Sequence, residues 1–213
     1  MLQFVTDQKE AKMKTVLQYR TRHVTILMED IFQTHNANAV VRSAECFGVQ
    51  DLHIVEERYA FKIASTVAMG ATKWMTFHRY KSTAQSFDAL RAQGYRIIAT
   101  TPHEKAQTLH QIPIDTKMAL VFGTENIGLT QFALENADKY LYIPMYGFTQ
   151  SFNVSVSVAL CLQDIITRLH ASKIHWQLTE DEKLNLMLEW ARKSVRGSEF
   201  LEKKFLQEKS GSV

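Results

Sequence analysis

Residues 23–48 read HVTILMEDIFQTHNANAVVRSAECFG. The run VTILMED, compact, apolar and ending in acids, reads as a buried strand, and HNANAVVRSAECFG reads as a helix that stops at Gly48. The same rhythm returns along the chain. LHIVE (52–56), SFDALRAQG followed by YRIIATT (86–101), MALVFG (118–123), TQFALENA followed by KYLYIPM (130–145), and the stretch from Val154 to about His170 repeat the alternation of strand and helix. Such alternation argues for an α/β domain built on a mostly parallel sheet.

Beyond Ala171 the character changes. EDEKLNLMLEWARKSV and SEFLEKKFLQEK carry apolar residues at helical spacing among many charges, with Gly197 between them. The chain therefore divides into a basic helical extension over 1–23, a central α/β domain over 24–171 and a helical extension over 172–213. No internal repeat or low-complexity tract is visible. Pattern alone does not tell how the strands are threaded, and ordinary connections are unknotted.

With 46% hydrophobic residues in 213, the chain can fill a core without disulfides. Cys46 and Cys161 form no Cys-x-x-Cys pair and read as buried or reduced thiols. The eight histidines show no zinc-ligand spacing, so no structural metal is expected. No unbroken run of about 18 apolar residues is present and the start MLQFVTDQKEAKMK lacks an apolar centre, so a cytoplasmic protein without a membrane anchor is expected. The net charge of +3 is unevenly spread: residues 1–23 hold five Lys/Arg against two acids, residues 190–204 five against two, and residues 24–172 twelve against thirteen. Two positive flanks around a neutral body suit phosphate binding, and equally suit solvated helix faces.

Three segments could carry chemistry. The first, Asn36 to Gly48, sets an Asn at a helix start and Arg42 further along it; Asn36 reads either as a cap or as a functional amide. The second, LVFGTENIGLT (120–130), runs a strand into a tight loop holding Gly123, Glu125 and Gly128. It lacks Gly-Lys-Ser/Thr, and no Gly-x-Gly-x-x-Gly occurs anywhere, which excludes the usual phosphate-loop and dinucleotide signatures. The third, IPMYGFTQSFNVSVSVA (143–159), leads a Pro/Gly-punctuated loop into a small-residue helix, with Ser151 or Asn153 as its cap.

Taken singly, each segment is compatible with ordinary turns and caps. Taken together and in order they resemble the three motifs of the SpoU/TrmH family: N-x-x-A-x-x-R-x-x-x-x-x-G, then G-x-E-x-x-G, then I-P-M-x-G-x-x-x-S-x-N-V-S-V. The resemblance runs from about Val24 to Arg168 and includes Gly70-Ala-Thr-Lys-Trp74; Phe152 departs from it, since relatives usually carry Leu there. It implies a SPOUT-type α/β fold with a C-terminal trefoil knot, a homodimer, and S-adenosylmethionine held by knot loops near Thr100, Gly123 to Gly128 and Ile143 to Asn153. Cofactor contacts are then implied for Thr100, Gly123, Ile143, Met145 and Phe152. Arg42, Asn36, Glu125, Ser151 and Asn153 are implied as the catalytic set.

The implied reaction is methylation of a ribose 2′-oxygen in RNA. That hydroxyl is a poor nucleophile, and something must take its proton or stabilise the developing alkoxide. An arginine stays protonated, so Arg42 suits gripping a phosphate and lending positive potential better than literal base chemistry. Asn36 would fix Arg42 or the ribose, Ser151 and Asn153 would organise the third loop, and Glu125 would anchor the second. The basic ends offer Lys12, Lys14, Arg20, Arg22, Arg192, Lys193 and Arg196 to RNA phosphates, with affinity but no sequence information. Extensions at both ends resemble those of the tRNA-modifying branch, which implies tRNA and its D-loop guanosine, with no DNA partner. The alternatives are ribosomal RNA or another tRNA position as substrate, and a non-catalytic RNA-binding protein on the same scaffold.

Overall fold

The structure is a computed structural model and describes residues 1–31, 33–61, 70–102, 106–125 and 127–210. The chain forms two compact units, one of Thr21–Trp176 and one made by the two ends together, 1–20 with 177 onward.

The central unit is a seven-stranded sheet. Its strands are β1 (Val24–Glu29), β2 (Asp51–Val55), β3 (Thr76–Tyr80), β4 (Arg96–Thr100), β5 (Gln107–Thr108), β6 (Met118–Phe122) and β7 (Lys139–Tyr142), in the order β3-β2-β1-β6-β4-β7-β5. Every pairing is parallel. This agrees with the parallel sheet expected from alternation. β1, β2 and β6 are buried at every residue, as near-continuous apolar strands covered on both faces should be.

Because side chains alternate across a strand, the two faces feed two cores. Ile26, Met28, Leu120 and Phe122 pack with helices α2 (Thr34–Cys46) and α5 (Val154–Ala171) on one side. Leu27, Val121, Ile97 and Ala99 pack on the other with Phe87 and Leu90 of α3 (Thr83–Ala92) and Ala133 of α4 (Gln131–Asn136). By length and composition α5 could cross a membrane, although Ser, Gln, Asp, Thr and Arg interrupt its apolar residues. Its inner face, Val158, Cys161, Leu162, Ile165 and Leu169, is fully buried in the core of this unit.

In the other unit, α1 (Asp7–Leu17) packs on α6 (Glu180–Ser194), and α7 (Ser198–Ser210) follows. A capping box of Thr179 and Glu182 starts α6. Leu17 and Met13 are buried, as are Leu186, Met187 and Trp190. The Arg20 guanidinium lies 5.4 Å from the centre of the Trp190 ring.

Two backbone devices shape the carboxyl ends of the strands. Asp30, just past β1, has φ 53, in the left-handed region that favours Gly or Asn/Asp. Its Oδ1 accepts from the backbone N–H of Glu57, Arg58 and Tyr59 at 2.9, 2.9 and 3.4 Å, tying the exit of β2 to the exit of β1. Glu29, 2% exposed, accepts from the hydroxyls of Thr83 and Thr130 and from Thr130 N–H, at 2.5, 2.8 and 2.8 Å. A buried carboxylate survives only with such donors, and these connect β1 to the starts of α3 and α4.

Candidate functional site

The carboxyl ends of β4, β6 and β7 open onto a cleft of about 370 Å³. Clefts outside the carboxyl ends of the strands are the usual ligand sites of open parallel sheets. Thr100, Gly123, Ile143, Met145 and Phe152 all line it, together with Glu125 and Ser151. The Thr100 hydroxyl is spent on Val121 O at 2.8 Å, so that residue meets the cleft mainly with backbone and methyl.

The second loop owes its shape to two glycines. A Cβ on Gly123 would sit 2.1 Å from Gly128 O, and Gly128 itself has φ +74. Thr124 and Gly128 exchange backbone hydrogen bonds at 3.1 and 2.9 Å, which folds the loop back on its own base. Asn126 lies outside the described residues. Thr130, held by Glu29, pins the far side.

Beside the cleft three side chains from three elements form a closed polar triangle. Asn36 Nδ2 donates to Glu125 Oε1 at 2.8 Å, Asn153 Nδ2 donates to the same oxygen at 2.5 Å, and Asn153 Nδ2 also donates to Asn36 Oδ1 at 3.0 Å. Asn36 further donates to Gln33 Oε1 at 2.5 Å. Capping does not account for Asn36: α2 begins at Thr34 with Gln33 as its N-cap, so Asn36 stands inside the first turn and reaches across to the second loop. Asn153 does both jobs, since its Oδ1 caps α5 by accepting from Ser155 N–H at 2.9 Å while its amide nitrogen closes the triangle.

The donor set suits a nucleoside-bearing sulfonium. Leu129, Leu134, Leu141 and Ile143 offer apolar walls, and Thr101, Gln150 and Ser151 offer polar groups. That is the mixture expected of a cofactor cleft of this volume.

The model of the SpoU rRNA methylase family matches residues 23–163. The chain belongs to the SpoU methylase family. It is similar to a tRNA (guanosine(18)-2′-O)-methyltransferase of Borreliella burgdorferi, 41% identical over 93% of this chain and 91% of that protein. It is also similar to the crystal structure of the Aquifex aeolicus TrmH/SpoU tRNA modifying enzyme, with TM-score 0.80 and 25% identity over 89% of this chain and 98% of that one. The SpoU methyltransferase AviRb of Streptomyces viridochromogenes, solved in complex with AdoMet, shares the fold at TM-score 0.65 and 18% identity, over 73% of this chain and 64% of that one. The sheet and flanking helices of this SpoU methylase are thus the SPOUT methyltransferase fold.

Other residues singled out from the sequence of this methylase stand apart. Arg42 is exposed and, among the described residues, makes no hydrogen bond or ion pair, so Asn36 does not hold it. Ser151 lines the cleft without joining the triangle. Arg20 is a correction: its side chain is fully buried against Trp190 and is not presented to a phosphate. Arg22 is half-buried and bound to Asp51 at 2.7 Å. Lys14, Lys193 and Arg192 are exposed but paired with Glu10, Glu189 and Glu202, whereas Lys12 and Arg196 are exposed without an ion pair among the described residues.

Leu129, Leu134, Gln150 and Glu29 were not singled out from the sequence. The first three lie in or beside motifs that were, and position past a strand end is their only signal. Tyr146 and Phe148 are 97% and 108% exposed in the third loop.

Proposed function

We propose that this SpoU methylase transfers a methyl group to a ribose 2′-oxygen of tRNA, at the D-loop guanosine 18 that its Borreliella burgdorferi relative is named for. The observation that carries the reading is the cleft at the ends of β4, β6 and β7 opening beside the Asn36–Glu125–Asn153 triangle. When bound in the cleft, S-adenosylmethionine supplies an electrophilic methyl on a sulfonium.

Everything else falls to the chain. Thr100, Gly123, Ile143, Met145 and Phe152 hold the cofactor and exclude water around it. Asn36, Glu125 and Asn153 lock the helix α2 start, the second loop and the α5 start into one frame, and positional error is what in-line transfer tolerates least. Ser151 orders the third loop at the mouth of the cleft. Arg42, with a charge that stays on at working pH, grips the phosphate next to the target ribose and lends positive potential to the 2′-oxygen as its proton passes to that phosphate or to a water. Lys12, Lys14, Arg192, Lys193 and Arg196 add sequence-independent phosphate affinity. Tyr146 and Phe148 present flat apolar faces on which an unpaired base can stack.

The methylase acts as a homodimer in this reading, in the cytoplasm. Support comes from α5, where Val156 and Leu160, one turn apart, are 44% and 39% exposed, and from Arg42 standing outward on the neighbouring α2. The deciding experiment is transfer of a labelled methyl group to unmodified tRNA and to ribosomal RNA, with nuclease mapping of the product. Label on guanosine 18 is expected. Label elsewhere replaces the substrate, and no label on either RNA overturns the reading in favour of a binding protein.

A further inference from the structure

Most buried polar side chains of the central unit have partners, and Asn38 is an exception. It is 2% exposed, and neither Nδ2 nor Oδ1 makes a hydrogen bond. Other residues contribute single unsatisfied atoms, such as Gln50 Oε1 and Thr116 Oγ1; among the described residues only Asn38 leaves both ends of its side chain unused. An amide stripped of water without replacement bonds works against folding. Alanine would also suit the interior of α2 better. A local rule broken at such cost marks a position kept for function.

Helical spacing says which function. Asn38 and Arg42 are four residues apart in α2, which stacks them on one face with Cβ atoms roughly 5–6 Å apart. Asn38 is inside with a free acceptor, and Arg42 is outside with no bond to any described residue. A guanidinium carries five donors in a planar fork and a carboxamide oxygen accepts in the same plane. Asn36 is engaged in the triangle through both ends of its amide, and Glu125 is tied there by its Oε1, on the loop after β6.

We propose that Asn38 is the positioning residue for Arg42: with tRNA bound, one guanidinium N–H donates to Asn38 Oδ1, and the remaining donors are fixed toward the substrate phosphate. The inference rests on the function proposed above. It makes the unsatisfied Oδ1 a state of the free enzyme that substrate binding relieves, so its effect falls on turnover and not on cofactor affinity.

The test compares wild type, Asn38→Ala, Asn38→Ser, Arg42→Lys and the Asn38→Ala/Arg42→Lys double variant. Measured are kcat at saturating S-adenosylmethionine and tRNA, the cofactor Kd, and the thermal midpoint. Asn38→Ala is expected to lower kcat about 10-fold, as loss of an interaction made with the reacting substrate does, with the cofactor Kd unchanged and the midpoint equal or higher. Asn38→Ser, which keeps an oxygen acceptor, recovers part of the turnover. In Arg42→Lys, which lacks the planar fork, adding Asn38→Ala costs less than about 2-fold, the coupling that a double-variant cycle detects. Wild-type kcat in Asn38→Ala overturns the inference, as does an equal loss in both backgrounds. A lowered midpoint with normal turnover also overturns it, since that is the signature of an amide satisfied by an enclosed water. A wild-type chain that transfers no methyl group overturns the proposed function as well, and is told apart because the control itself is then inactive.

Discussion

Asn153 Nδ2 donates to Asn36 Oδ1 at 3.0 Å across 117 residues of chain. The contact binds the start of one core helix to the start of another, and Glu125 accepts from both amides.

Removing that shared acceptor separates positioning from folding. Glu125 is exposed, so water can replace the lost bonds, and Glu125→Ala should cost only about 1 kcal/mol in a urea titration. The same substitution frees both amides to drift, and roughly 100-fold in kcat is expected from a displacement of this kind. Stability and turnover falling in proportion would count against a positioning role.

The two glycines of the second loop should respond differently to alanine. At Gly123 the new methyl would lie 2.1 Å from the Gly128 carbonyl oxygen, and the loop must open. Cofactor affinity should drop on the order of 100-fold, about 2.7 kcal/mol. At Gly128 nothing lies within 4 Å of the added atom, and only the φ of +74 is costly, about 1–2 kcal/mol. Calorimetric titration with S-adenosylmethionine ranks the pair.

Away from the cleft, the edge of the sheet carries an acid-sensitive cluster. His53 is fully buried, stacked on His78 at 4.5 Å, and burial followed by the nearby His78 pushes its pKa down to about 4. Burial alone would raise Asp51, but its bonds to His78 and Arg22 hold that carboxyl below its ordinary range. An unfolded histidine titrates near 6.5. The unfolded chain therefore binds the His53 proton first as pH falls. Stability from this group is complete above pH 6.5 and is lost progressively down to about pH 4, a total of about 3 kcal/mol. Urea midpoints at pH 7 and pH 5 should converge in His53→Phe; an unchanged gap would assign the loss to other groups.

The outward face of α5 gives a further expectation. Leu160→Asp puts a charge on the exposed stripe with Val156 and should turn a dimer into a monomer in sedimentation at micromolar concentration. The folded content of the chain should be unchanged, because neither residue enters the core. A wild-type monomer would refute the dimer.

Much of this was legible from residues alone, and the exceptions have physical causes. β1, β2 and β6 are buried on both faces and so show as unbroken apolar runs. β3 is an edge strand, half-exposed, and its TFHRY carries too many polar groups to declare itself. The motif residues Thr100, Gly123, Ile143, Met145 and Phe152 line one cleft, but the resemblance, not periodicity, pointed to them. The triangle was beyond reach because residues 36, 125 and 153 meet only once the sheet is assembled. Arg20 misled for a simpler reason: charge in a sequence does not say whether a side chain is wet, and a guanidinium set over an indole face can be buried.

The unit made by the two ends has a consequence for biosynthesis. Met13 and Leu17 of α1 have their apolar partner in α6, and Gln18 accepts from Gln177 and Lys183 through its backbone and side-chain oxygens at 3.2 and 3.3 Å. As a ribosome makes the chain, α1 emerges long before the helix it pairs with. A lone amphipathic helix of that length is marginal in water. α1 is thus made well before it can settle, and a nascent chain released short of α6 leaves α1 a target for proteases and chaperones even when the sheet is complete.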